Sequence, residues 1–265
     1  MMKFTFRIIL LFAFVQFKYS EVNAWGMQGH RIVGEIASSY LTAKAKKEIQ
    51  LILGNESIAM ASNWPDFIKS DTAYKSYNVW HYVDISPNLA FSPLQDSLKA
   101  DTLPNAYNKI NFLVNQLRNK KLGQKEKLMY LRFLIHLVGD VHQPLHVSRK
   151  GDRGGNDLKV TWFGEPSNMH KIWDEELIEH QKLSYTEYVR SINFVTNNQK
   201  VDWQKDAIDK WFFESYQLSE QIHLDIKPND KLGYNYNYKV LETLNLQLLK
   251  GGVRLAGILN DIYNF

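Results

Sequence analysis

No cysteine occurs among the 265 residues. That absence excludes thiolate zinc fingers, iron-sulfur centres held by Cys, disulfide staples and a Cys nucleophile, so any metal must be held by His, Asp, Glu or the backbone. Neither sign of charge dominates, with 32 Lys+Arg against 28 Asp+Glu. A chain of that balance has no bulk field for capturing nucleic acid, and recognition of such a partner has to come from a local site. Proline is sparse at 7 residues, and there is no internal repeat, low-complexity tract or Ser/Gly-rich linker. A membrane-spanning run is missing too, since the apolar stretch from Ile8 to Val15 is too short to cross a bilayer of ~30 Å as a helix. Lys3 and Arg7 precede that stretch and the small-residue sequence Val22-Asn23-Ala24 follows it, which is the layout of a signal peptide. We expect residues 1–24 to be removed, leaving an exported domain of residues 25–265, periplasmic or secreted, with no membrane anchor after cleavage. Lys3, Arg7 and Lys18 against Glu21 account for half of the formal net charge of +4, so the mature chain is nearly neutral.

What is present is ample core material, 45% hydrophobic residues, arranged mostly at helical spacing. Ile32, Val33, Ile36, Ala37, Tyr40, Leu41, Ala45, Ile49 and Ile52 predict one long amphipathic helix from Gln28 to Leu53. Further helices are expected over Asn105 to Leu117, Lys125 to Val141, Met169 to His180, Tyr185 to Ile192, Asp202 to Ile226 and Tyr236 to Tyr263. The Lys125 to Val141 segment is apolar almost all round, as a central buried helix would be. Only Leu158 to Phe163 alternates like a strand, in a hairpin or extended segment. Tyr74 to Ala100 and Pro144 to Ser167, which carry prolines and glycines, read as irregular. The expectation is one all-α domain with functional loops and at most a small β-hairpin.

All eight histidines lie beyond residue 24. His136 and Asp140, and again His170 and Asp174, stand four residues apart, which on a helix turns imidazole and carboxylate to one face. Either pair alone reads as a salt bridge or a hydrogen-bonded core histidine. Asp140 lies in the most apolar helix, however, where an uncompensated carboxylate is costly and a divalent cation is an efficient partner. Pro144 then ends that helix and brings a third imidazole, His146, back toward it. Hard carboxylates with imidazoles and no thiolate suit Zn2+, ahead of Mn2+ or Fe2+. Trp64-Pro-Asp66 and Trp80-His81-Tyr82 add the same residue types, each a weak signal by itself. His30 lies five residues beyond Trp25, the expected new N-terminus, whose amino group is in part neutral near pH 7 and can chelate a metal together with its carbonyl oxygen.

Six ordered pieces, namely Trp25 with His30, Trp64-Pro-Asp66, Trp80-His81-Tyr82, His136-x3-Asp140 running into His142-Gln-Pro-Leu-His146, Gly154-Gly155-Asn156-Asp157 and His170-x3-Asp174, resemble the zinc-dependent single-strand-specific nucleases and 3′-nucleotidases. That family is typified by the fungal S-one and P-one enzymes and by plant bifunctional nucleases. The resemblance implies the mainly helical fold of the phospholipase C/P1 nuclease superfamily and three zinc ions per chain. It assigns Asp66, His81, His136 and Asp140 to one ion, Trp25, His30 and the shared Asp140 to its neighbour, and His146, His170 and Asp174 to the third. It also implies hydrolysis of single-stranded DNA, RNA and 3′-nucleotides by a water activated between two zinc ions, without a general-base side chain. Asp66, Asp140 and Lys69 would act at the reacting phosphate, Asn156 would hold phosphate or nucleotide, and Tyr82 with Asp84 would stack on a base and hydrogen-bond its edge. Lys69, Asn156, Tyr82 and Asp84 also read as ordinary surface or packing residues. His142, His180 and His223 read as structural, with His142 a candidate for orienting a ligand. The chain departs from fungal and plant members in lacking their disulfides. A zinc-dependent phospholipase C of the same fold and a non-enzymatic exported zinc-binding protein are the alternatives. A monomer with no obligate protein partner is expected.

Overall fold

A computed structural model describes residues 25–264; the expected signal peptide lies outside the described residues. In chain order the helices are α1 (Met27–Ser39), α2 (Ala43–Leu53), α3 (Ile58–Ala61), α4 (Trp64–Phe67), α5 (Phe91–Ala100), α6 (Ala106–Leu117) and α7 (Gln124–Asp140). There follow α8 (Met169–Lys171), α9 (Leu177–His180), α10 (Tyr185–Ile192), α11 (Asn197–Lys205), α12 (Ile208–Asp225) and α13 (Tyr234–Ile262). The strands are β1 (Val83–Ile85), β2 (Val147–Arg149), β3 (Lys159–Trp162), β4 (Glu165–Asn168) and β5 (Lys231–Leu232). The architecture is mainly helical, as expected, and no helix among the described residues is long and apolar enough to cross a membrane.

Local chemistry explains where the chain departs from its hydrophobic period. The expected single helix from Gln28 to Leu53 is two, α1 and α2, because Thr42 accepts a hydrogen bond from the Ala45 amide at 3.2 Å and starts a new helix. Asn260 of α13 satisfies the backbone opened by that break: its Oδ1 accepts from the Thr42 N–H at 2.7 Å and its Nδ2 donates to the Tyr40 carbonyl at 3.0 Å. Periodicity cannot register such a break, since α1 and α2 both keep an apolar face. The segment expected over Asp202 to Ile226 is likewise divided into α11 and α12 at Asp206, which has an extended ψ of 133°. The Tyr74 to Ala100 stretch is more ordered than its prolines suggest, comprising a 3-10 segment (Thr72–His81), β1 and α5. β3 and β4 form the expected hairpin, and β5 adds a short parallel edge to it.

The core is built by α1, α7 and α13. From Gly251 to Gly257 every residue of α13 is buried, and from Phe133 to Asp140 the same holds for α7. Backbones approach closely where α13 meets α1: a Cβ on Gly252 would lie 2.4 Å from Ile36 Cγ2 and 2.9 Å from the Val33 carbonyl oxygen. Buried Arg254 ties three segments together, donating to Asp206 at 2.6 Å, Glu214 at 2.8 Å and His142 Nε2 at 3.1 Å. Two short loops are fixed next to this core by the parallel pairing of β1 with β2, Val83 opposite Val147 and Ile85 opposite Arg149. His81 and His146, each just ahead of its strand, therefore arrive at the same end of the pair.

Candidate metal centre

Asp140 is the last residue of α7 and is fully buried. Burial and the negative end of the helix dipole both oppose its charge, yet the imidazoles around it, His136 foremost, hold its carboxyl well below the usual carboxylate range. Its two oxygens face different partners. Oδ2 lies 3.0 Å from His81 Nδ1 and 3.2 Å from His136 Nε2, whereas Oδ1 lies 3.4 Å from His30 Nε2. His30 is stacked on His136 with ring centroids 3.8 Å apart and an interplanar angle of 18°. Asp66, on α4, closes the group with Oδ1 3.6 Å from His136 Nε2 and 3.9 Å from His81 Nδ1, and Oδ2 3.9 Å from His30 Nε2. Lys69 Nζ contacts Asp66 Oδ1 at 2.5 Å. Burial would raise the Asp66 pKa, but His136, Lys69, His81 and His30 hold it below its ordinary value.

A second cluster stands alongside. His146 and His170 stack with centroids 5.0 Å apart, and both point Nε2 at Asp174, at 3.6 Å from Oδ1 and 2.9 Å from Oδ2 respectively. His170 and Asp174 keep their contact across a π-helical turn (Ile172–Glu176) inserted between α8 and α9, a feature frequent at functional sites. Asp174 is held below the usual carboxylate range, His170 and His146 outweighing its burial.

Three imidazoles share one device. His136, His146 and His170 each donate Nδ1–H to a main-chain carbonyl, those of Ser62 at 2.6 Å, His81 at 2.7 Å and Gly154 at 2.7 Å, leaving Nε2 for the centre. Gln143 Nε2 donates to Asp174 Oδ1 at 2.5 Å and so orients that carboxylate. Burial lowers the His30 pKa, and burial together with Lys69 lowers that of His81 to about 4, so both rings are neutral and ready to ligate. His136 is raised, since Asp140 and Asp66 outweigh its burial.

The residues fit divalent ions. Both His30 ring nitrogens, Asp140 Oδ1 and His146 Nε2 are buried without a hydrogen-bond partner, a cost that ligation removes. Three groups place one donor atom per residue within 4.8 Å of the others: His30, Asp66 and His136; His81, His136 and Asp140; and His146, His170 and Asp174. Separations of 2.9 to 3.6 Å between donors are close to the edge of a tetrahedron with ion-to-ligand bonds of about 2.0–2.2 Å. Trp25 is fully buried beside them, its indole Nε1 donating to the Gly139 carbonyl at 2.7 Å, while the next amide, Gly26 N–H, donates to the Asp174 carbonyl at 2.8 Å.

A cavity of about 390 Å3 opens at His170, lined by Tyr82, Asp84, Leu145, Lys150, Arg153 and Gly154 among others. Tyr82 and Asp84 are thus together in a pocket beside the centre, and burial with the nearby Asp152 pushes the Asp84 pKa up. Lys150 and Arg153 had no distinguishing signal in the sequence. Asn156 is buried, its Nδ2 donating to the Arg153 carbonyl at 2.9 Å. Gln143 is wholly buried between Asp174 and the Leu145 amide. His142 touches neither carboxylate cluster: its Nδ1 donates to the Val138 carbonyl at 2.7 Å and its Nε2 faces Arg254. His180 stacks on Phe163, and His223 pairs with Asp152.

A family model described as S1/P1 Nuclease matches residues 25–264, the whole span of the described fold. The chain belongs to the S1/P1 nuclease family. Among its relatives, Endonuclease 3 of Arabidopsis thaliana is 32% identical over 91% of this chain and 89% of its own length. Nuclease S1 of Aspergillus oryzae is 30% identical over 71% of this chain and 67% of its own. Nuclease P1 of Penicillium citrinum is 28% identical over 90% and 98%. The S1/P1 family member described here is accordingly a hydrolase of nucleic acid with His/Asp groups able to hold metal ions.

Proposed function

We propose that the centre holds zinc, three ions per chain, and that the exported, mature protein cleaves single-stranded DNA and RNA and removes the 3′-phosphate from nucleotides. The observation that carries this reading is the set of orphaned buried atoms on His30, Asp140 and His146, gathered with the Asp66 carboxylate around one interior space. Asp66, His81, His136 and Asp140 would hold one ion. His30 and Asp140, with the amino and carbonyl groups of a new N-terminus at Trp25, would hold its neighbour, and Asp140 is suited to bridging because its oxygens face opposite groups. His146, His170 and Asp174 would hold the third. What such ions supply when bound is Lewis-acid activation of water and stabilisation of charge developing on phosphoryl oxygen. Lys69, against Asp66 at the rim, adds a cationic group within reach of a phosphate oxygen. Tyr82 offers a stacking face, 37% exposed, and Asp84 a hydrogen-bonding edge; a base must leave a duplex stack to use them, which accounts for single-strand preference.

The test is metal analysis of a chain beginning at Trp25, together with turnover of single-stranded DNA, RNA, a 3′-mononucleotide and phosphatidylcholine. About three zinc ions and turnover of the nucleotide substrates are expected. Lipid turnover without nucleotide turnover, or bound zinc with no hydrolysis of any ester, would overturn the reading.

A further inference from the structure

The metal centre has a cavity on each side. Beyond the His170 pocket already described, a larger one of about 590 Å3 opens at Asp66 and runs over the start of α1, the α3–α4 turn and the π-helical stretch. Its lining includes Met27, Arg31, Met60, Phe67, Glu175 and Glu179. Phe67 immediately follows Asp66 and is 81% exposed; Met27 and Met60 are exposed beside it, at 64% and 46%. Three large apolar side chains held in water at the lip of a centre are costly unless something covers them. Charge says what does. Glu175 and Glu179 line the cavity against Arg31, whose Nε donates at 2.9 Å to the Asn63 amide oxygen when that amide is oriented by its neighbours. Glu56 is already engaged by Arg132 at 2.7 Å. Such a lining disfavours a phosphate and suits an uncharged, flat, donor-bearing group, which is the description of a nucleobase.

We propose that this cavity receives the base on the 3′ side of the cleaved phosphodiester, stacked on Phe67. The assignment rests on the nuclease and 3′-nucleotidase reading. A 3′-nucleotide carries its nucleoside on the 5′ side of its phosphate, so a nucleoside in the Tyr82 and Asp84 pocket places the phosphate at the centre and sends any following nucleotide toward Asp66. Phe67 then determines how well the enzyme holds a strand, as opposed to a mononucleotide, and the carboxylates of Glu175 and Glu179 favour bases with exocyclic amino donors at that position.

The experiment compares Phe67→Ala and Phe67→Trp with the wild type, zinc-loaded, on a single-stranded oligonucleotide and on a 3′-mononucleotide. Loss of one stacking contact lowers kcat/KM for the oligonucleotide by about five- to a hundred-fold, whereas turnover of the 3′-mononucleotide stays within about twofold and Phe67→Trp restores the oligonucleotide rate. An equal loss on both substrates, or none on either, with an active wild type would overturn the second subsite while leaving the nuclease reading intact. A wild type inactive on both would overturn the two together.

Discussion

His146 donates its Nδ1–H to the main-chain carbonyl oxygen of His81 at 2.7 Å. A residue of the Asp174 cluster is thereby oriented by the backbone of a residue in the Asp140 cluster, and the parallel pairing of β1 with β2 holds both at a fixed separation. The two clusters form one centre, and the carboxylates within it have unequal reach: Asp140 faces His81 and His136 with one oxygen and His30 with the other, whereas Asp174 faces only His146 and His170.

That inequality sets a metal count. Asp140→Asn is expected to cost roughly two of the bound ions and His146→Ala roughly one. Since altering a group that merely orients a ligand already costs about 10–100-fold, activity should fall at least that far in both variants. Metal analysis beside far-ultraviolet circular dichroism checks this. Equal losses in the two variants would contradict a shared Asp140.

Gly139 precedes Asp140 inside α7, where alanine is intrinsically favoured over glycine by about 1 kcal/mol. A Cβ there would lie 2.9 Å from His30 Nδ1 and 3.8 Å from Trp25 Cδ1. Gly139→Ala is therefore expected to keep its helix and lose metal affinity by displacing His30, seen as zinc release at a lower chelator concentration. Unchanged zinc retention would show that His30 can shift without consequence.

Trp25 tests the role of proteolysis. One extra residue before Trp25 blocks its amino group and is expected to reduce bound zinc by about one ion and to lower activity, with the indole bond to Gly139 still formed and tryptophan fluorescence unaltered. Full zinc content and rate in the extended chain would remove Trp25 from the ligand set.

Tyr82→Ala and Asp84→Asn act on the base, not on the metal. Stacking is worth about 1–3 kcal/mol per base, so Tyr82→Ala should raise KM for a 3′-nucleotide by about five- to a hundred-fold at constant zinc content. Asp84→Asn should change the ranking among bases. Steady-state kinetics on the four 3′-nucleotides would decide, and an unchanged KM in both variants would locate the base elsewhere.

His223 latches α12 to the loop that carries Gly154, the carbonyl partner of His170. Its Nδ1 donates to Ser219 O at 2.7 Å and its Nε2 meets Asp152; Arg149 also faces it but is engaged by Glu220 at 2.6 Å. Burial would lower the His223 pKa, but the bond to Asp152 raises it above 6.5, and Asp152 is held below 3.8, His223 outweighing burial. A raised histidine pKa stabilises the fold below its unfolded value and ceases to do so as pH climbs through the folded one; a depressed carboxylate pKa stabilises above 3.8 and is lost in acid. The pair contributes most between about pH 4 and 6.5 and less above, by at most about 1 kcal/mol after solvent screening. With zinc held saturating, the Tm gap between wild type and His223→Gln should reach about 2–4 °C near pH 6 and narrow toward pH 8. A gap independent of pH would mean that the latch is not ionic.

Residue type and spacing are enough to show a helical, cysteine-free chain with two His/Asp pairs at one helical turn, because a turn of helix is a local geometry and the cost of burying Asp140 follows from its apolar neighbours alone. Even the return of His146 is written in Pro144. Only the tertiary structure decides which of these groups meet. His30 reaches Asp140 because α1 packs against α7, Ser62 and Gly154 orient imidazoles through carbonyls that carry no side-chain signature, and Asn260 divides a predicted helix from more than 200 residues away. The same long-range packing buries Gln143 against Asp174 and leaves Phe67 in solvent at the lip of the centre. Local pattern fixes what each segment can become. The convergence of buried donors from α1, α4, α7 and the two loops, where one cation can serve several otherwise unpaired atoms, is a property of the assembled core.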